Sequence, residues 1–238
     1  MKSTIFYRGP SMIDGAPIMG IASGLSGSSD NIKTGRMIQT WILRSDMSPL
    51  EASRQGQDVS ICGSCKMRHN LNGACYVLLH QAPQSIFHAA AAGRYLEYPA
   101  LKPAQLRRFN LAFKKLPVRL GAYGDPAAIP EKGWLPIMTR IKRHTGYTHQ
   151  WENAAAQWLR PWCMASVETL EEKELAASLG WKTSRTGAAE KPGRDEVRCL
   201  NQLEEMIQCD DCLLCNGQQK NIYGTIHGSR KRRFLEAA

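Results

Sequence analysis

The chain has 238 residues, 43% hydrophobic and 22% charged, ordinary values for a globular protein long enough to bury a core without disulfides. No apolar run approaches the roughly 20 residues of a membrane span, and none follows the basic start Met1-Lys2, so neither an anchor nor a signal peptide is expected. The formal net charge of +10, with a pI near 9.3, favours contact with phosphates, in nucleic acid or in a nucleotide.

Residues 1–35 are rich in glycine and serine (Gly20, Ser23, Gly24, Ser26, Gly27, Ser28, Ser29) and predict an irregular N-terminal arm. Arg36–Leu43 is β-branched and aromatic and reads as a strand, and Cys75–Leu79 as a short apolar one. Pro83–Gly93 and Pro103–Lys115 read as helices. In the second, Leu106, Phe109 and Phe113 share a face and the proline suits the first turn. From Pro117 onward strands alternate with helices. The strands are Pro117–Tyr123, Thr145–His149, Pro161–Val167, Trp181–Arg185, Glu196–Cys199 and Asn221–Ile226. The helices are Leu135–Arg143, with Pro136 in its first turn, a helical turn at Ala154–Leu159, and Thr169–Leu179, capped by Thr169 and stopped by Gly180.

That alternation predicts an α/β fold with parallel pairing, and the count is close to eight strands. A TIM-like barrel, complete or degenerate, is expected over a single domain at residues 36–226, with a basic tail at 227–238. An open doubly wound sheet is the alternative. No G-x-G-x-x-G or Walker motif is present.

Seven of the eight cysteines sit in two knots. The first, over residues 62–75, is Cys62-x₂-Cys65-x₉-Cys75, and the second, over 199–215, is Cys199-x₉-Cys209-x₂-Cys212-x₂-Cys215. A two-residue spacer turns both sulfurs toward one soft ion or cluster. A cytosolic location keeps thiols reduced, which favours metal over disulfides. The second knot supplies four thiolates, enough for zinc or a [4Fe–4S] cluster. Three cysteines at successive x₂ steps match cluster ligation better than a zinc ribbon, which wants two separated C-x₂-C pairs. Asp210 and Asp211 add negative charge there. The first knot offers three thiols, with His69, His80, Cys163 or an exogenous group as the fourth ligand. Three-thiolate ligation keeps one iron open, as radical S-adenosylmethionine enzymes do, although their C-x₃-C-x₂-C spacing is not met. Both knots could also meet in space and share ligands. Cys163, inside an apolar strand, reads as a packed small hydrophobe.

In parallel α/β folds the site lies at the carboxyl ends of the strands. Those ends carry Asp125, His149 with Gln150 and Trp151, Ser166 with Glu168, Arg185 and His227. Of these, Asp125, His149, Glu168 and Arg185 are the candidate catalytic residues. The first three also have a plain structural reading: a turn aspartate, a buried histidine, a helix-starting glutamate. Arg230, Lys231, Arg232 and Arg233 are the candidate nucleic-acid contacts, or a solvated, frayed tail.

Asn31–Gln39, Cys62–Tyr76 ending Gly-Ala-Cys-Tyr, Val118–Asp125, Tyr147–Trp151, Met164–Ser166 and Cys209–Gly217 resemble a phage- and plasmid-borne family, the gene product 88-like proteins. The resemblance implies a mobile-element protein with a cysteine-bound centre in a barrel-like fold. It implies no reaction. The Gly-x-Cys-Tyr tetrapeptide is also similar to radical enzymes of the spore-lyase type.

The expectation is therefore a cytoplasmic iron–sulfur protein with one or two [4Fe–4S] clusters, zinc being the alternative. It would act as a redox or radical enzyme, with S-adenosylmethionine as a candidate cosubstrate. The other readings are a metal-stabilised regulator that engages nucleic acid or host machinery, and a zinc-stapled scaffold without chemistry.

Overall fold

The computed structural model describes residues 3–27, 31–188, 191–204 and 207–237. Parts of the expected arm (1–2 and 28–30) and the end of the tail (238) lie outside the described residues. Ten strands form one mixed sheet: β1 (Ser3–Pro10), β2 (Pro17–Ser23), β3 (Ile38–Arg44), β4 (Leu96–Glu97), β5 (Val118–Tyr123), β6 (His144–Thr148), β7 (Met164–Val167), β8 (Thr183–Gly187), β9 (Glu196–Arg198) and β10 (Asn221–Thr225). The order is β4-β1-β2-β3-β5-β6-β7-β8-β10-β9. Only β1/β2 and β2/β3 pair antiparallel, and the other pairings are parallel. The sheet has two ends and is not closed into a barrel.

β3, β5, β6, β7, β8 and β10 lie side by side and parallel, while β4 sits at the far edge beside β1 and β9 lies outside β10. The sheet is thus open, as the alternative expectation had it, with an antiparallel hairpin added beside β3.

The expected irregular arm is partly sheet. Ile5 and Phe6 on β1, with Ile18, Met19 and Ile21 on β2, are buried and join the core. The glycine and serine content masks this hairpin in the sequence, because Gly20 needs no side chain: a Cβ there would lie 2.7 Å from Phe6 and Ile129. Cys75–Leu79 is not a strand. Its apolar residues instead carry Cys75 along the cavity described below.

The helices are α1 (Pro49–Arg54), α2 (Val59–Cys62), α3 (Ala82–Ala91), α4 (Pro103–Lys115), α5 (Glu131–Met138), α6 (Leu170–Ser178), α7 (Leu200–Leu203), α8 (Cys209–Cys212) and α9 (Lys231–Ala237). The 154–159 segment is a 3₁₀ helix capped by Asn153. In α4, Phe109 and Phe113 are fully buried while Arg107, Arg108, Lys114 and Lys115 face solvent. Each phenylalanine contributes about 1.5–3 kcal/mol by leaving water. α6 begins as the sequence predicts: the Thr169 hydroxyl accepts from the Glu172 N–H, and the Glu172 carboxylate accepts from the Thr169 N–H. α5 starts four residues earlier than expected and holds Pro136 in its interior. The proline removes one N–H from the helix ladder, and the helix ends two residues later. Among the described residues no helix is long and apolar enough to cross a membrane.

Candidate cysteine-lined functional site

A cavity of about 260 Å³ lies against one face of the parallel strands. Strand alternation selects its floor: Thr145 and Tyr147 of β6, Ser166 of β7, Ser184 and Thr186 of β8, and Ile222 and Gly224 of β10. Register explains their adjacency, since Ser166 pairs with Ser184 and Thr186 with Gly224. Arg119 of β5 joins them. Beyond it Gly121 takes φ +72°, so Ala122 and Tyr123 both reach the cavity wall.

The first knot is built on α2 and the irregular segment after it. Cys62 ends α2, and the chain turns at Gly63 with φ +55°. A Cβ at Gly63 would lie 2.4 Å from the Gln150 amide, which itself donates to the Cys62 carbonyl at 3.2 Å. The Cys65 N–H bonds the Cys62 carbonyl and the Cys75 N–H bonds the Met67 carbonyl, closing the loop. Asp125 ties this knot to the sheet. Its N–H donates to the Ile61 carbonyl at 2.6 Å, and its carboxylate accepts from Thr148 Oγ1, the His149 N–H and the Ala127 N–H.

The second knot lies on α7, α8 and the following turn. The Cys199 N–H donates to the Tyr223 carbonyl, and the Gly146 N–H to the Cys215 carbonyl. α8 ends at Leu213 in the left-handed region, φ +51°, so the chain doubles back to Cys215. The loop at residues 31–36 braces the knot. The Cys209 N–H donates to the Lys33 carbonyl, and Asp210 Oδ2 accepts from the Arg36 N–H at 2.8 Å. The Asp210 carboxylate thus serves this loop; a Cβ at Gly35 would overlap it. Tyr147 and Cys215 both line the cavity, and the tyrosine hydroxyl works against the rise that burial causes in the Cys215 thiol.

All seven knot cysteines line this one cavity, although Cys75 and Cys199 are 124 positions apart. All eight cysteines are free thiols. Cys163 is fully buried in the core with its sulfur against Gly146, outside the cavity lining. Among the described residues, no three His, Cys, Asp or Glu side chains converge tightly enough to hold a single metal ion. The thiols surround the space rather than meet at a point.

Burial pushes the thiols up: Cys62 well above the ordinary range, Cys75 to about 11 and Cys215 to about 12. Burial raises Cys209 too, opposed by Arg119 and Lys33. Burial opposes charge on His149, but Cys65 and Glu168 outweigh it and hold the imidazole well above its usual value. Burial raises Asp125, with His149 and the hydrogen bonds pulling the other way.

Of the four candidate catalytic residues, Asp125 and His149 line the cavity. Glu168 stands behind His149, its Oε1 3.7 Å from the ring Nε2. Arg185 is not brought there. β8 runs to Gly187, so Ser184 and Thr186 face the cavity while Arg185 points away. It is buried, donates twice to Glu196 at 2.9 and 2.8 Å, and lies over the Tyr223 ring.

The fourth-ligand candidates of the first knot are used elsewhere. His69 bonds the Val77 carbonyl and Arg230, and His80 is exposed. The basic tail is not wholly frayed: Arg230 donates to the Gly73 carbonyl and contacts His69, clamping the first knot's loop. Lys231 and Arg232 face solvent, with Arg233 partly buried, at the start of α9.

Lys33, Tyr76, Arg119 and Tyr147 were not anticipated as site residues. The available signal is an arginine at an inward-facing strand position between Val118 and Leu120, both fully buried. Comparison with family models, with curated proteins and with solved structures returns no match.

Proposed function

We propose that this chain is a [4Fe–4S] protein with the cavity as its active site, a redox or radical enzyme built on a degenerate, TIM-like half-barrel. One observation carries the reading: two cysteine knots far apart in sequence open onto a single cavity at the face of a stepwise parallel sheet. Buried thiols with raised pKa values need a cation to become thiolates, and a cluster supplies one. Zinc fits less well. Tetrahedral Zn–S bonds of about 2.3 Å would bring the sulfurs to roughly 3.8 Å from one another. No such convergence occurs among the described residues, and a cube binds each thiolate at a different iron.

In this reading Cys199, Cys209, Cys212 and Cys215 ligate one cluster completely. Cys62, Cys65 and Cys75 hold a second with an iron left for a ligand, S-adenosylmethionine being the cosubstrate to test. His149, backed by Glu168, would move a proton or orient a ligand beside Cys65, while Asp125 positions His149 and α2. A mobile-element origin rests on the resemblance alone. Anaerobic purification should give brown protein with iron and acid-labile sulfide. Colourless protein with stoichiometric zinc would refute the redox reading, since zinc has no redox chemistry.

A second reading keeps one independent observation. The exposed face of α4 presents Arg107, Arg108, Lys114 and Lys115, and none of the four is ion-paired among the described residues. That face suits a nucleic-acid backbone. Retention on DNA or RNA falling linearly with log salt would support it, and salt-insensitive or absent retention would not.

A further inference from the structure

We propose that Lys33 and Arg119 are the counter-charges of the C-terminal four-thiolate centre and hold its reduction potential up. This rests on the iron–sulfur reading above. Both residues line the cavity that also holds Cys199, Cys209, Cys212 and Cys215, and both act electrostatically on Cys209. The Cys209 N–H bonds the Lys33 carbonyl at 3.1 Å, which anchors the lysine to the knot. Yet neither cation has an acidic partner among the described residues. Lys33 Nζ reaches His227 Nε2 at 2.7 Å, and Arg119 donates to the Tyr76 hydroxyl. Both lie against the same Tyr76 ring, 5.8 and 5.9 Å from its centroid.

Asp125 is the one carboxylate among the residues that line the cavity, and Thr148, His149 and Ala127 occupy its oxygens. Two like charges sharing one ring in a sheltered cavity need an anion. The second knot provides it. Four thiolates on a 2+ core leave two negative charges, and the two cations match them. Reduction adds one electron, [4Fe–4S]²⁺ + e⁻ → [4Fe–4S]⁺, with no bond broken and no proton moved. The cations favour the reduced, more negative state.

The test begins with iron and sulfide analysis of the anaerobic wild-type protein, followed by redox titration with dithionite as one-electron donor, monitored by electron paramagnetic resonance. The C-terminal centre is the signal that Cys212→Ser removes. Lys33→Met and Arg119→Gln should each lower its reduced-to-oxidised ratio at fixed ambient potential at least tenfold, about 59 mV for a one-electron couple. Lys33→Arg should restore it. Cluster loss in Lys33→Met that Lys33→Arg repairs would equally support a required counter-charge. Fully loaded variants with an unchanged potential would overturn this inference and leave the function standing. Wild-type protein without iron and sulfide would overturn the function, and this inference with it, before any variant is made.

Discussion

Glu196 shows what a buried charge does in this molecule. Burial alone would raise its carboxyl, but two hydrogen bonds from Arg185 and one from the Gly193 N–H outweigh that and hold its pKa below the usual range. A carboxyl lowered on folding adds stability above its unfolded pKa of about 4.3, and that stability is lost as pH falls through the lower folded value. Glu196→Gln should therefore flatten the acid limb of the stability–pH curve, measured by urea unfolding between neutral pH and the acid range. Glu196→Ala should cost roughly 3–5 kcal/mol, because it breaks a buried ion pair by removing one of its partners. Asp125 makes a comparable case. Its carboxylate collects three donors from two segments, so Asp125→Ala should destabilise the fold by at least about 2 kcal/mol. An unchanged denaturation midpoint would mean that Asp125 has no structural role.

At the scale of elements, local signals and tertiary position divide the work. The Thr169 cap and the Glu172 return bond are contained within four residues, which is why the start of α6 is readable from the sequence. Thr169→Ala should cost about 0.5–2 kcal/mol in chemical denaturation. The β1–β2 hairpin was not readable, since Gly20 serves close packing against Phe6 of the paired strand and Ile129 from far along the chain. The knots are elements of another kind. Their regular parts, α2, α7 and α8, have four residues each, too few to be stable as free helices. On the iron–sulfur reading, anaerobic chelation should therefore raise amide exchange in the two knots before it affects β2, β3 or β5. Uniform exchange across the chain would count against metal-held knots.

For the whole molecule, the stepwise strand order decides what the cysteines can do. Each parallel strand contributes alternate residues to one face, and that face brings Cys75 and Cys199 to the same cavity. The alternation of strand and helix, the carboxyl-end positions of Asp125 and His149, and the grouping of seven thiols are written locally, because spacing and periodicity act over a few residues. Arg185 marks the limit of such reading: a two-residue extension of β8 leaves it on the far side of the sheet from Ser184 and Thr186. Arg230 marks another, since its contacts with His69 and Gly73 span more than 150 positions. By itself the sequence determined an α/β chain with two cysteine knots, since secondary structure and ligand spacing are short-range properties. Only the tertiary structure decided that the knots share one cavity, that the sheet stays open, and that Lys33 and Arg119 stand beside the thiols. Those relations depend on strand register and on side-chain contacts between residues far apart in the chain.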